Sequence, residues 1–298
     1  MPYSKRIKDL LLHNTHVSFE VFPPKTNQGL RQIYQTIAKL KHLSPDFISV
    51  TYGAGGSTAE KSLDIASAIT NLAQTTCVAH FTCAHMDRDQ VLDLLKLLEF
   101  HGVNNVLALR GDPPQGQKDF VRPENGFGYA NELVAFIREH SDIGILVAGY
   151  PEGHMENPSF DDDFEHLVNK VNAGADGIVT QLFFENRYLY EFQERLSNAG
   201  VTVPLISGIF PLSNIKQLDR IAQMSKNHVP DRLRKGLAKW ADDPISMEKF
   251  GTDYAIEQVQ DLLDHGVTDF HFYTMNRHQQ TRDILFALRQ YFPRLTFH

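Results

Sequence analysis

Apolar positions along the chain fall into a repeating unit. A stretch with helical spacing closes on a glycine, and a short run of β-branched and aliphatic residues follows within a few positions. His101-Gly102-Val103, Asn172-Ala173-Gly174-Ala175, Asn198-Ala199-Gly200-Val201 and His265-Gly266-Val267 all carry this mark. A glycine there predicts a left-handed helix cap, since a residue without Cβ reaches positive φ cheaply. Eight apolar runs predict strands, at 17–22, 47–51, 77–81, 105–109, 144–148, 177–181, 203–207 and 269–273.

Between the runs lie amphipathic helices with start signals. Ser57-Thr58-Ala59-Glu60 and Asp87-Arg88-Asp89-Gln90 each read as a capping box, and Asp161, Asn186 and Ser213 are expected to cap later helices. Strands that are apolar throughout suit a parallel sheet covered on both faces, and eight β-then-α units predict a (β/α)8 TIM barrel. One unit is irregular. The connection from Ile209 to His265 is long enough for extra helices, including Trp240 and a helix near 247–263, and is expected to be an insertion on the rim of a single domain spanning 1–298.

Composition narrows the function. The 298 residues are 42% hydrophobic and 22% charged, which excludes a disordered or fibrous chain. A formal charge of −7 without long like-charge blocks argues against nucleic acid or an anionic membrane surface as partner. No apolar run approaches a membrane span and the N-terminus lacks a signal-peptide core, so a cytoplasmic location is expected. Cys77 and Cys83 are expected to be reduced thiols.

In such a barrel the site forms at the carboxyl ends of the strands. Polar residues gather there: Glu20, Thr51, Tyr52, His80, Thr82, Arg110, Asp112, Tyr150, His154, Gln181, Tyr273, Asn276 and Arg277. Gly53-Ala54-Gly55-Gly56 is read as a tight turn, because it lacks the full dinucleotide-binding spacing. His80, Cys83 and His85 match no standard zinc pattern, so no metal is expected. Asp161 to Asp163 suit a helix N-terminus. Glu20 stands out, because an unpaired carboxylate inside an apolar strand is costly. Either it pairs structurally or it is a working acid, and its place at the mouth favours the acid.

The segments Ser18-Phe19-Glu20-Val21-Phe22-Pro23-Pro24, Ser49-Val50-Thr51-Tyr52-Gly53-Ala54, His80-Phe81-Thr82-Cys83, Leu107-Ala108-Leu109-Arg110-Gly111-Asp112-Pro113-Pro114, Tyr150-Pro151-Glu152-Gly153-His154, Thr180-Gln181-Leu182-Phe183-Phe184, Gly208-Ile209-Phe210-Pro211 and His271-Phe272-Tyr273-Thr274-Met275-Asn276-Arg277 together resemble the methylenetetrahydrofolate reductase family in its short bacterial form. The likeness runs in order over nearly the whole chain, with one motif per strand.

The resemblance implies a flavin barrel that takes a hydride from NADH onto bound FAD and passes it to 5,10-methylenetetrahydrofolate by ping-pong kinetics, supplying methyl groups for methionine synthesis. It implies a short chain without a C-terminal regulatory domain, and a homo-oligomer. Glu20 matches the general acid that opens the folate ring, with a pKa expected to be raised at an apolar mouth. Asp112 matches a residue near flavin and pterin, although a turn aspartate before Pro113-Pro114 would look the same. Gln181 matches a pterin contact, Arg277 a contact to the glutamate carboxylate, and Thr51 and Ile215 further substrate positions. FAD contacts carry over to Thr51, His80, Arg110, Gly111, Asp112, Tyr129, Ala130, Tyr150, His154, Asp163, His166, Asn169 and Lys170. His166, Asn169 and Ile215 depart from side chains that relatives carry there. A different flavin barrel, such as a proline dehydrogenase, is the alternative, although it gives no reason for Glu20, Asp112 and Gln181 together.

Overall fold

The strands are β1 (His16–Val21), β2 (Phe47–Val50), β3 (Thr76–Thr82), β4 (Asn105–Leu109), β5 (Gly144–Gly149), β6 (Gly177–Thr180), β7 (Leu205–Ile209) and β8 (Asp269–Tyr273). Every neighbouring pair is parallel and β8 returns to β1, so the sheet closes into a barrel. The helices are α1 (Ile7–Leu10), α2 (Asn27–Lys41), α3 (Gly56–Asn71), α4 (Arg88–Phe100), α5 (Ala130–His140), α6 (Phe160–Asn172), α7 (Asn186–Asn198), α8 (Ile215–Met224), α9 (Asp231–Lys239), α10 (Pro244–Asp264) and α11 (Gln279–Ala287). The computed structural model describes residues 4–11, 15–52, 56–84, 86–111, 121–157 and 159–296. Gly53 to Gly55, His85 and Asp112 lie outside the described residues, as do the side chains of the expected Ser57 capping box.

The four cap glycines all have positive φ. At Gly102 the N–H bonds to the Glu99 carbonyl and the next N–H, of Val103, reaches back to Leu98, which stops the helix and turns the chain toward β4. The Asp87 box forms in both directions, with the Gln90 N–H on Asp87 and the Asp87 N–H on Gln90.

Several local expectations need correction. β7 begins two residues later than expected, because Pro204 has no N–H for the ladder; its carbonyl accepts from Ile178. Ser159, not Asp161, caps α6 by accepting from the Asp162 N–H. Asn214, not Ser213, caps α8. Asn186 does not cap α7, since its amide bridges to Gln258 and Asp261 of α10.

The barrel interior is divided by height. Its lower layer is apolar, built from Phe47, Val78, Leu107, Leu146, Val179 and Ile206, and the N-terminal segment closes it with Ile7 and Leu11. Buried Asn105 of β4 pins that segment, accepting from the Ile7 N–H at 2.7 Å and donating to the Lys5 carbonyl at 2.8 Å. The long connection after β7 holds α8, α9 and α10 around a small core of its own, formed by Leu212, Leu218, Leu233, Leu237 and Met247 with Leu182 and Phe184, and Trp240 packs against it.

Candidate active site

Alternation along a strand sends every second side chain inward. On β1 and β8 the inward set is polar, and the register sets Ser18 beside His271 and Glu20 beside both Ser49 and Tyr273. An upper polar layer therefore sits on the apolar floor. Glu20 Oε2 lies 3.3 Å from His80 Nε2 and 3.9 Å from His271 Nε2. His271 Nδ1 is 2.7 Å from Ser18 Oγ, its Nε2 is 3.3 Å from Ser49 Oγ, and its ring stacks on Phe47. Tyr273 crosses to donate to the Thr180 carbonyl at 2.7 Å. The backbone of Glu20 is held from the β8 side, where the Thr274 hydroxyl donates to its carbonyl at 2.6 Å.

This surrounding reverses the expectation for Glu20. Burial pushes its carboxyl up, but His271 and His80 together pull it further down, to about 2. The resting group is an ionised carboxylate. His271 moves down as well, because its burial outweighs the pull of Glu20, and Tyr273 moves up through burial and the nearby carboxylate.

Beside this layer a cleft of about 820 Å³ opens over the ends of β3, β4 and β5, bounded by α5 and α6. His80, Arg110, Gly111, Tyr129, Ala130, Tyr150, His154, Asp163, His166 and Lys170 all line it. Lys170 is half-buried and its ammonium donates to the Ala148 carbonyl at 2.6 Å; desolvation lowers its pKa to about 8 against the pull of Asp163. Asp163 in turn accepts from the His154 N–H, and Arg110 pairs with Glu156. Tyr129 stacks on His166 with ring centres 6.0 Å apart. No side chain caps α5, and its first residues, Ala130 and Asn131, line the cleft. Gly111, at φ +88°, brings its backbone so close to Ala84 that a Cβ would lie 2.7 Å from it. Among the described residues no cluster of three His, Cys, Asp or Glu could hold a metal ion.

The profile of one family, "Methylenetetrahydrofolate reductase", matches residues 6–289. The chain belongs to the methylenetetrahydrofolate reductase family. Among its relatives, "Methylenetetrahydrofolate reductase (NADH) 1" of Arabidopsis thaliana is 39% identical over 285 residues, covering 92% of the chain and 48% of the relative. The "5,10-methylenetetrahydrofolate reductase" of Escherichia coli (strain K12) is 35% identical over 273 residues, covering 92% of the chain and 90% of the relative. The chain thus spans about half the length of its plant relatives and most of the bacterial one. A solved structure of an uncharacterised Clostridium thermocellum protein, described as binding two copies of 5-methyl-5,6,7,8-tetrahydrofolic acid, superposes with a TM-score of 0.61 at 16% identity over 96% of this chain and 99% of that one, which shows the shared barrel alone.

Other residues implicated by the reductase family stand apart from the cleft. Thr51 ends β2 and is not among the cleft-lining residues; its N–H donates to Val21 and its carbonyl accepts from Ser62. Asn169 is exposed on α6 and also outside the lining. Gln181 follows β6, and its side chain accepts from the Leu182 N–H. Ile215 packs in the small core of the insertion. The Arg277 guanidinium rests on both carboxylate oxygens of Glu248, at 3.1 and 3.0 Å. Sequence reasoning did not single out Ser18, Ser49 or His271 for the site. The alternation Asp269-Phe270-His271-Phe272-Tyr273 was the available signal, since its polar members share one face.

Proposed function

We propose that this chain reduces 5,10-methylenetetrahydrofolate to 5-methyltetrahydrofolate, taking the hydride from NADH by way of FAD in two successive half-reactions at one site. The product would supply methyl groups for methionine synthesis. The observation that carries this reading is the Glu20 carboxylate at the mouth of a family barrel beside a cleft with Lys170 and Arg110 on its wall. Plant relatives named for NADH support the choice of donor. The family assignment leaves the proline dehydrogenase alternative without support.

The cleft residues fit FAD. Arg110, Lys170 and the open start of α5 offer a pyrophosphate cations and N–H donors, while Tyr129 and His166 offer flat faces to a ring system. Gly111, Ala130, Tyr150, His154 and Asp163 complete the contacts, with Thr51 and Asn169 at the periphery. Bound there, FAD would supply the two-electron carrier between donor and acceptor.

The protein's own part is positioning and proton supply. Reduction of the folate bridge needs a proton on the departing ring nitrogen, and Glu20 would donate it. Asp112 would stabilise the cationic iminium of the opened folate, Gln181 would meet the pterin edge, and Arg277 would meet the glutamate carboxylate. Thr51 and Ile215 would border the substrate.

Anaerobic addition of NADH to the FAD-loaded protein should bleach the flavin absorbance, and methylenetetrahydrofolate should then restore it. Bleaching with no recovery on adding the folate would overturn the reading.

A further inference from the structure

A helix of the outer ring of such a barrel runs down the wall, away from the mouth. α8 instead begins and ends on the rim. Its first turn follows β7, where Gln217 lines a small cavity with Tyr273, and its far end docks on the loops that leave β5 and β6. Three consecutive residues just beyond α8 make that contact. Lys226 Nζ donates to the Asn157 carbonyl, Asn227 Nδ2 donates to the Leu182 carbonyl at 2.6 Å and to Glu152 Oε1 at 3.1 Å, and the His228 N–H donates to Glu152 Oε2 at 2.6 Å. The His228 ring adds its Nδ1 at 3.0 Å from Glu185 Oε2. The Asn227 amide nitrogen serves two acceptors, while its carbonyl oxygen is buried with no partner among the described residues, so the amide is kept there as a donor.

Glu152 shares a turn with the cleft. Gly153 has φ +84°, its N–H donates to the Tyr150 carbonyl at 3.0 Å, and Tyr150 and His154 on either side line the cleft, whereas Glu152 does not. Burial pushes the Glu152 carboxyl up, and the His228 N–H and the Asn227 amide pull it part of the way back. We propose that Glu152 is a positioning residue that sets the gap between the flavin side of the mouth and α8 on the substrate side. The inference rests on the folate reduction proposed above, since it concerns how that site is spaced. The carboxylate holds one donor with each oxygen, so it resists both sliding and tilting of the far end of α8. Hydride transfer needs reacting atoms about 3–3.5 Å apart, and a misplacement of about 1 Å is enough to slow it strongly. The link acts on whichever ring lies between flavin and α8, and so both half-reactions depend on it.

The test is Glu152→Gln, which fills the same space but accepts through one oxygen and sets an amide donor where the second acceptor stood. In the FAD-loaded variant at saturating substrate, bleaching by NADH and reoxidation by folate should each slow by about tenfold, while FAD affinity, read from flavin fluorescence, stays within about twofold of the parent. Rates equal to those of the parent overturn the proposal, since a packing role alone is met by the isosteric glutamine. A loss of FAD affinity as large as the loss of rate overturns it too, because Glu152 would then serve the fold of the cleft itself. A Glu152→Gln variant that does not fold is covered by Lys226→Ala/His228→Ala, which changes two exposed side chains and loosens the same link from the α8 side. It should slow both half-reactions by about threefold, and unchanged rates overturn the proposal. Should folate fail to reoxidise the bleached parent, the functional reading fails, and the NADH half-reaction together with FAD affinity still decides the role of Glu152.

Discussion

Glu20→Gln is the sharpest perturbation of this site, because it preserves shape and removes one exchangeable proton. The structure sets the size of the problem that the carboxyl must solve. With its pKa held at about 2 by the two imidazoles, Glu20 would be protonated in about one molecule in 10⁵ at pH 7, a deficit of about 7 kcal/mol. Closing flat ring systems over the mouth excludes water and adds to the burial that already pushes the carboxyl up, which narrows that deficit. A glutamine cannot act as an acid there. Rapid-mixing absorbance of the flavin separates the half-reactions: folate-dependent reoxidation should fall about 10²- to 10⁴-fold, the range of general acid catalysis, while bleaching by NADH stays near that of the parent. Equal loss in both half-reactions would mean that the substitution damaged cofactor binding. Undiminished reoxidation would mean that the proton comes from elsewhere. Either result refutes the assignment.

Other consequences test the frame around the site. Ile7→Ala removes a fully buried side chain from the barrel floor and should cost about 2–5 kcal/mol, lowering Tm in a thermal melt, with no loss if the N-terminal segment is dispensable. Gly208→Ala places a Cβ 2.4 Å from the Thr180 carbonyl and 2.8 Å from the Tyr273 ring, so stability should fall by about 1–3 kcal/mol and the Tyr273 environment should change in near-ultraviolet circular dichroism. His16 is raised above its ordinary pKa of 6.5: burial opposes protonation, but Asp269 and Asp46 outweigh it. Its contribution is therefore complete below pH 6.5 and lost as pH rises through the raised value. His16→Gln should cost about 2 kcal/mol at pH 6 in urea unfolding and progressively less at alkaline pH, whereas a constant difference would contradict the pairing.

The barrel was legible because its signals are local and redundant. Each cap glycine stops one helix by backbone geometry alone, and each apolar run announces a strand covered on both faces, so an error of two residues at Pro204 left the topology unharmed. The polar lining of the cleft was legible for a related reason, since a residue at a strand end points at the mouth whatever its partner is. What resisted reading was pairing across the barrel. Ser18 and His271 lie 253 positions apart, and only closure of β8 onto β1 brings them to 2.7 Å.

The same closure explains why the expected pKa of Glu20 had the wrong sign. Read along its own strand, Glu20 has apolar neighbours, and burial alone would raise it. Yet Val17, Phe19 and Val21 face the outer core, whereas the inward face of β1 carries Ser18 and meets imidazoles from β3 and β8. Alternation thus gives one strand two environments: an apolar side that fixes it against the helices and a polar side that sets the charge of Glu20. A carboxylate raised by burial would hold its proton without help. One lowered by two imidazoles rests ionised, and so the chemistry of this mouth belongs to the layer as a unit.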